Sequence, residues 1–466
     1  MNASAPTISE KVGEYLGTLP ETLLIRLVHE IRGAALLGDE DPANAMIADA
    51  AAAVLASRHP DGGDALCPDT TLFHPIMPFL VSTSGNTKYQ GRIRRKSIEG
   101  LWVYFNRDRP LDGLGALVRK VATDILGTDG STSTSSVADV VSLVLPELQL
   151  IQQGTAKGEA NHARMVGQIG GKGVAEDVAE VTRIFQVHGV LANLSKRLPT
   201  DVEVLGTDHL SAIAQAISAL QPVDYALLAI LLNSRLAHPA SMLRILIDKE
   251  RTDDASVLAK SKLAVLVDVL MDELAISTDL VAERVNSNAQ NDDVIHCLRR
   301  FHDVAAGLTT EISIEMHGAW FQRLAQERRR MADVAAREIE QIPGRLRLAI
   351  QPGGGSLMPD PKDIEIATSA ARLLIAAKPL RSGLALNETL GRVNTQAESL
   401  VDAAARSLPE QARAASGDQL AILGAQFTGL SCVAKELFGK EYARLLLRSG
   451  QVAGLHQQAH LMPKAA

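Results

Sequence analysis

The stretch from Val174 to Leu194 reads V-A-E-D-V-A-E-V-T-R-I-F-Q-V-H-G-V-L-A-N-L and decides the fold class. Val174, Val178, Val181, Phe185, His188, Leu191 and Leu194 follow one another at intervals of three or four. That spacing lays a single stripe along a helix and has no counterpart in a strand, where alternate residues share a face. A second stripe runs through Leu258, Leu263, Leu266, Leu270 and Leu274. Strand-like runs are short, at Phe79 to Val81, Val202 to Leu205 and Leu346 to Ile350, and read as helix ends or turns. The expected fold is all-α, a multi-helix bundle or bundles with one long central helix and few or no strands.

The long helix is expected from about Leu308 to Glu340. It would present Leu308, Ile312, Trp320, Leu324, Met331, Val334 and Ile339 as an uneven apolar stripe. A helix of that length needs a partner along it. A neighbouring helix of the same chain is the preferred one, and a second copy, giving a homo-oligomer through residues 308–340, is the alternative. Thr7-x-x-Glu10, Thr18-x-x-Glu21, Thr200-x-x-Glu203 and Ser407-x-x-Glu410 read as capping boxes at helix starts.

The chain of 466 residues is long enough for about three domains. Gly127 to Ser136 is polar and flexible in composition, and Gln351 to Lys362 is rich in glycine and proline. They predict a domain over 1–127 with an aromatic and basic segment at 73–109, a second over 137–350, and a C-terminal helical segment over 363–466, with the alternative that Gly127 to Ser136 is a loop within one domain. No repeat of solenoid length is visible.

Composition narrows the function. With 46% hydrophobic and 22% charged residues the chain is neither disordered nor a membrane bundle. The net charge of −7 argues against coating nucleic acid over the whole surface. Cys67, Cys297 and Cys432 form no C-x-x-C pair, and so sparse a set fits a reducing compartment. No secretory leader and no membrane-length apolar run is read, so a cytoplasmic protein without membrane contact is expected.

One segment departs from this background. Residues 73–105 hold Phe73, Phe79, Tyr89, Trp102, Tyr104 and Phe105, six of the fifteen aromatics. Lys88, Arg92, Arg94, Arg95, Lys96, Arg107 and Arg109 overlap them, opposed between 88 and 109 only by Glu99 and Asp108. Arginine beside an aromatic face suits a phosphate, a carboxylate or a base. Arg92, Arg94, Arg95, Lys96, Trp102, Tyr104 and Arg107 are therefore the candidate binding residues. The cations would meet an acidic or phosphorylated protein partner while Trp102 and Tyr104 anchor it. Nucleic acid is the less favoured partner of the same segment. The competing reading makes the aromatics an N-terminal core and the arginines its wet rim. Ser97 is read as the cap of the helix that follows.

The pattern F-H-P-I-M-P-F-L-V followed by G-R-I-R-R-K-S-I-E-G-L-W-V-Y-F-N-R-D resembles a segment of uncharacterised bacterial proteins with Ala/Leu-rich helical tails. The resemblance covers about forty residues and implies a bacterial cytoplasmic protein. It brings no activity, so it assigns no residue.

Chemistry finds no strong motif. Glu159-x-x-His162 is half of a di-iron helix signature without its second copy. Gly167 to Gly173, G-Q-I-G-G-K-G, fails as a phosphate loop because its first glycine is one residue too close and no Ser or Thr follows the Lys. It reads instead as a connection between helices. Glu311, Glu315, His302 and His317 are the candidates for an enzyme on a helical scaffold, with paired carboxylates near histidine for acid–base work. No metal ligand set and no cofactor is assigned. A non-enzymatic interaction or regulatory protein is the expected function.

Overall fold

A computed structural model describes residues 8–39, 41–58, 67–81, 83, 85, 87–127, 134–156, 161–287, 291–314, 318–351, 358–381 and 383–455. Among them are twenty α-helices and two two-residue strands, so the all-α reading holds. Contacts divide the chain into two units, residues 1–237 and 238–466.

The first unit opens with α1 (Ile8–Gly17), α2 (Glu21–Leu36) and α3 (Pro42–Arg58). Leu16, Leu24, Ile25, Val28, Ala51 and Leu55 form their shared core, which also takes Ala122 and Leu126. Next come α4 (Pro68–Leu72), a 3-10 segment over His74–Phe79, and the parallel pair β1 (Leu80–Val81) and β2 (Ile93–Arg94). Pro78 inside the 3-10 stretch disfavours a regular α-helix, since it cannot donate to a preceding carbonyl, whereas Pro75 stands in the first turn where no such bond is needed. The chain continues through α5 (Arg95–Val103), a π turn at Tyr104–Asp108, α6 (Leu114–Gly127), α7 (Thr134–Gly154) and α8 (His162–Gln168). It ends with α9 (Lys172–Arg197), α10 (Thr207–Ala219) and α11 (Tyr225–Arg235).

α9 is the spine of this unit. Its predicted stripe is buried at Val174, Val178, Val181, Phe185, Leu191 and Leu194, and half-buried at His188. α5, α7, α10 and α11 all pack on it. Every residue of α11 from Tyr225 to Asn233 is buried, which is why that stretch reads as uniformly apolar.

The second unit holds α12 (Leu243–Glu250), α13 (Ala255–Leu258), α14 (Val265–Ser287), α15 (Asn291–Glu311) and α16 (Ala319–Ile350). It closes with α17 (Pro361–Ala377), α18 (Asn387–Ala412), α19 (Asp418–Phe438) and α20 (Lys440–Val452). Glycine sets two of its closest approaches. A Cβ on Gly429 would lie 2.4 Å from the carbonyl oxygen of Ala349, and one on Gly450 would lie 2.2 Å from the Phe427 ring.

Several expectations are corrected. The single helix from Leu308 to Glu340 is two helices: α15 stops at Glu311 and α16 starts at Ala319, with Gly318 at its N-cap. α16 then runs through Pro343, which is buried, to Ile350. Its partners are α14, α17, α18 and α19 of the same chain. Leu324, Met331 and Ile339 are buried in that internal packing, and Trp320 and Val334 are half-buried.

The domain boundaries move as well. Residues 128–133 lie outside the described residues, but α6 and α7 on either side pack together and α5 and α7 share α9. The first linker composition therefore marks a connection inside one unit. Likewise α16 and α17 pack together across the second. The division falls between Ala237 and His238, within the segment read as one central domain.

The capping boxes fare poorly. Thr7 lies outside the described residues. Thr18 donates its hydroxyl to the carbonyl of Tyr15 at 2.7 Å, Thr200 and Asp201 form a turn that leads into no helix before Thr207, and Ser407 with Pro409 lies inside α18. Of the strand-like runs, Leu80–Val81 pairs with β2, Val202 bridges Leu236, and Leu346–Ile350 is the last turn of α16.

Candidate functional site

The basic and aromatic segment divides into an inward and an outward part, and the division starts with one residue on α9. Asp177 is fully buried. Its Oδ1 accepts from Lys88 Nζ at 2.7 Å and Arg94 Nη2 at 2.9 Å. Its Oδ2 accepts from the Arg94 backbone N–H at 2.9 Å, Arg94 Nε at 3.1 Å and Ser97 Oγ at 2.7 Å. Burial pushes the Asp177 carboxyl up, but the bonds from Arg94, Lys88 and Ser97 outweigh it and hold the group below its ordinary range. Arg94 moves the opposite way: burial opposes its charge, and Asp177 and Glu176 more than restore it.

The arrangement also explains the start of α5. Arg94 is at its N-cap and supplies no side-chain cap. Asp177 takes that place from another helix, accepting an N–H at the positive end of α5 where a carboxylate is favoured. Ser97, expected as the cap, sits in the first turn and donates to Asp177 instead. Glu176 and Glu180 complete the cluster, accepting from Arg94 at 3.1 Å and from Lys88 at 3.3 Å.

α5 approaches the α8–α9 turn closely. A Cβ on Gly100 would lie 2.4 Å from the carbonyl oxygen of Ile169. The turn itself is a helix stop: Gly171 N–H reaches the carbonyl of Val166 at 2.7 Å and Gly170 N–H that of Gly167 at 3.4 Å, with Gly170 at φ +98°. The stretch from Gly167 to Gly173 is thus the helix connection its spacing indicated.

The nominated residues fall on both sides of the division. Arg92 is only 8% exposed and donates through Nη1 to the carbonyl of Pro78 at 3.4 Å. Arg94 is consumed by Asp177. Trp102 and Tyr104 are 5% and 6% exposed, so neither can anchor a partner. Burial pushes the Tyr104 hydroxyl pKa up. Phe73 stacks with Phe105 at 6.4 Å and meets the edge of Phe185 at 6.2 Å. The aromatics are therefore core, as the competing reading had it, and the expectation of an exposed aromatic–arginine face is overturned. The same observation corrects that competing reading, because Arg94 is not a wet rim residue.

Arg95, Lys96 and Arg107 are exposed. Arg95 approaches Glu99 only at 4.0 Å. Among the described residues Lys96 and Arg107 have no carboxylate partner. Arg109, also exposed, is committed to Glu147.

Of the enzyme candidates only Glu311 and His302 are described, and they meet different neighbours. Glu315 and His317 lie outside the described residues, as does Glu159. Glu311 pairs with Arg244 at 3.4 Å, and His302 lies against the backbone at Gly383. Cys297 is half-buried, with burial pushing its thiol pKa up. Among the described residues no group of three or more His, Cys, Asp or Glu is placed to hold a metal, and no helix is long and apolar enough to cross a membrane.

Asp177 is the residue that sequence reasoning missed. The signal was present: Asp177 stands three after Val174 and four before Val181, on the buried stripe. A carboxylate in that register calls for buried cations. No family model matches the chain, and neither a curated protein nor a solved structure matches it.

Proposed function

We propose that the chain is a non-enzymatic helical interaction protein of the cytoplasm that binds an acidic or phosphorylated partner through Arg95, Lys96 and Arg107. One observation supports this reading above others. The cations of the segment fall into two sets: Lys88 and Arg94 are tied to Asp177, whereas Lys96 and Arg107 are exposed and, among the described residues, hold no carboxylate. Exposed charges of this kind steer a partner and fix its register more than they add affinity. Trp102, Tyr104, Arg92 and Arg94 leave the surface proposed from the sequence. The free cysteines Cys67, Cys297 and Cys432 are consistent with a reducing compartment.

The test is retention on immobilised poly-L-glutamate at rising salt. The full chain is expected to bind at low salt and to elute as salt screens the contact. The Lys96→Glu/Arg107→Glu variant is expected to flow through. A wild-type chain that also flows through at low salt contradicts the reading.

A further inference from the structure

His188 stands on the apolar stripe of α9 between Phe185 and Leu191. One turn before it, Phe185 meets the edge of the Phe73 ring at 6.2 Å. That contact sets His74, which follows Phe73 and opens the 3-10 segment, beside the same turn of α9. The segment packs on α9, and both histidines are half-buried. Among the described residues the His188 ring has no hydrogen-bond partner to support a charge. Burial disfavours its charged form, and a positive His74 disfavours it further. The other charged groups around α9 are engaged elsewhere or stand off. Arg94 on β2 is held at Asp177, about three turns up the helix. α5 approaches at Gly100 beside Val174, and α8, with His162 and Arg164, joins α9 at that same end. Arg183 pairs with Asp224 ahead of α11 at 2.7 Å, and Glu147 on α7 is taken by Arg109. α10 carries Asp208 and His209, α11 carries Arg235, and α4, which packs on the 3-10 segment, carries the buried Asp69. Of all these groups only His74 acts on His188.

We propose that the His74–His188 pair is an acid-operated latch that holds the His74–Phe79 segment on α9 at neutral pH and releases it when both rings are protonated. The inference is independent of the anionic-partner reading above. A neutral His188 packs in the stripe as a flat, mostly apolar ring. A charged one has no counter-ion in its place and a like charge beside it, so the segment is driven off the helix. The sign follows from the lowered folded value of His188. Its contribution to stability is whole above the ordinary histidine value of about 6.5 and is lost as pH falls through the folded value. The segment is suited to local opening. Its two prolines lack an N–H, and its backbone bonds are short-range, from Ile76 N–H to the Phe73 carbonyl at 2.7 Å and from Leu80 N–H to that of Met77.

The test is hydrogen exchange of the full chain at pH 7 and pH 5, read by mass spectrometry and corrected for the intrinsic pH dependence of amide exchange. Peptides covering the 3-10 segment are compared with peptides from α14. In the wild type, protection of the segment is expected to fall about fivefold or more between the two pH values, while α14 changes less than about twofold. His188→Gln keeps a polar side chain that does not titrate, and its segment is expected to change less than about twofold. His74→Gln removes the neighbouring charge and is expected to lose less protection than the wild type, which keeps the test open should His188→Gln fail to fold. Unchanged protection of the wild-type segment overturns the latch. So does a loss as large in both variants as in the wild type, because another group then titrates. An equal loss in the segment and in α14 also overturns it, since acid then unfolds the whole chain.

Discussion

The Asp177 cluster in the first unit and the α14–α16 interface in the second use the same chemical groups at different depths. On α9, one buried carboxylate takes five hydrogen bonds from Lys88, Arg94 and Ser97. Between α14 and α16 the charges are strung out and wetter. Trp320 donates to Asp268 at 3.1 Å, Arg323 pairs with Asp272, and Arg330 reaches Asp279 at 2.7 Å and Glu327 at 2.8 Å. Arg330 is 43% exposed at its side chain where Arg94 is 12% exposed. Depth and the number of satisfied donors set how much a charge pair matters. Removing one partner of a buried, fully bonded set leaves uncompensated charge, whereas water takes over at an exposed pair.

The largest expected effect follows directly. Asp177→Ala takes the buried carboxylate from Lys88 and Arg94, leaving them the more exposed Glu180 and Glu176, and should cost about 3 kcal/mol in urea denaturation. A loss of under about 1 kcal/mol would show that the depth contrast carries no energy. Gly100→Ala should cost about 1–3 kcal/mol, because its Cβ has no room beside the Ile169 carbonyl. Gly344→Ala, on α16 with open space around it, should instead stabilise by up to about 1 kcal/mol. If both glycine variants fall on the same side of wild type, the close approach of α5 to the α8–α9 turn is wrong.

Acid sharpens the comparison through its sign. Asp177 is held below its ordinary pKa, so its contribution is whole above about pH 4 and is lost as pH falls through the lowered folded value. Burial pushes Glu327 up, against the pull of Arg330, so its ionised form is disfavoured in the fold. Its contribution is present below the ordinary carboxylate range and is lost as pH rises through the raised folded value. Stability measured against pH should therefore change slope in opposite directions in Asp177→Asn and Glu327→Gln. Slopes that shift together would contradict the assignment. Smaller still, Arg330→Ala should cost about 1 kcal/mol or less, and Lys96→Ala and Arg107→Ala should stay within about 0.5 kcal/mol of wild type.

What was legible in the sequence is local periodicity. The Val174–Leu194 stripe is written in one helix and could be read without knowing its neighbours. The break between α15 and α16 was hidden because residues 312–318 contain only one glycine and no proline. Pro343 lies inside α16, beyond the expected end at Glu340, on a face that neighbouring helices cover. The basic segment failed for a different reason. Arg94, Arg95 and Lys96 are adjacent and chemically alike, and only the distant Asp177 decides that the first turns inward. Such a pairing across about eighty positions leaves no periodic trace. Trp102 and Tyr104 were misplaced by the same omission, since the core they fill is completed by Phe185 on α9 and by α2.

The most direct test of the division into inward and outward cations is a double-mutant cycle on Arg94 and Asp177, using Arg94→Ala, Asp177→Ala and the pair, each followed by urea denaturation. The account predicts a coupling above about 1 kcal/mol, because three of the five hydrogen bonds to Asp177 come from Arg94. A coupling under about 0.5 kcal/mol would mean that Arg94 and Asp177 act independently, and the inward half of the segment would not exist.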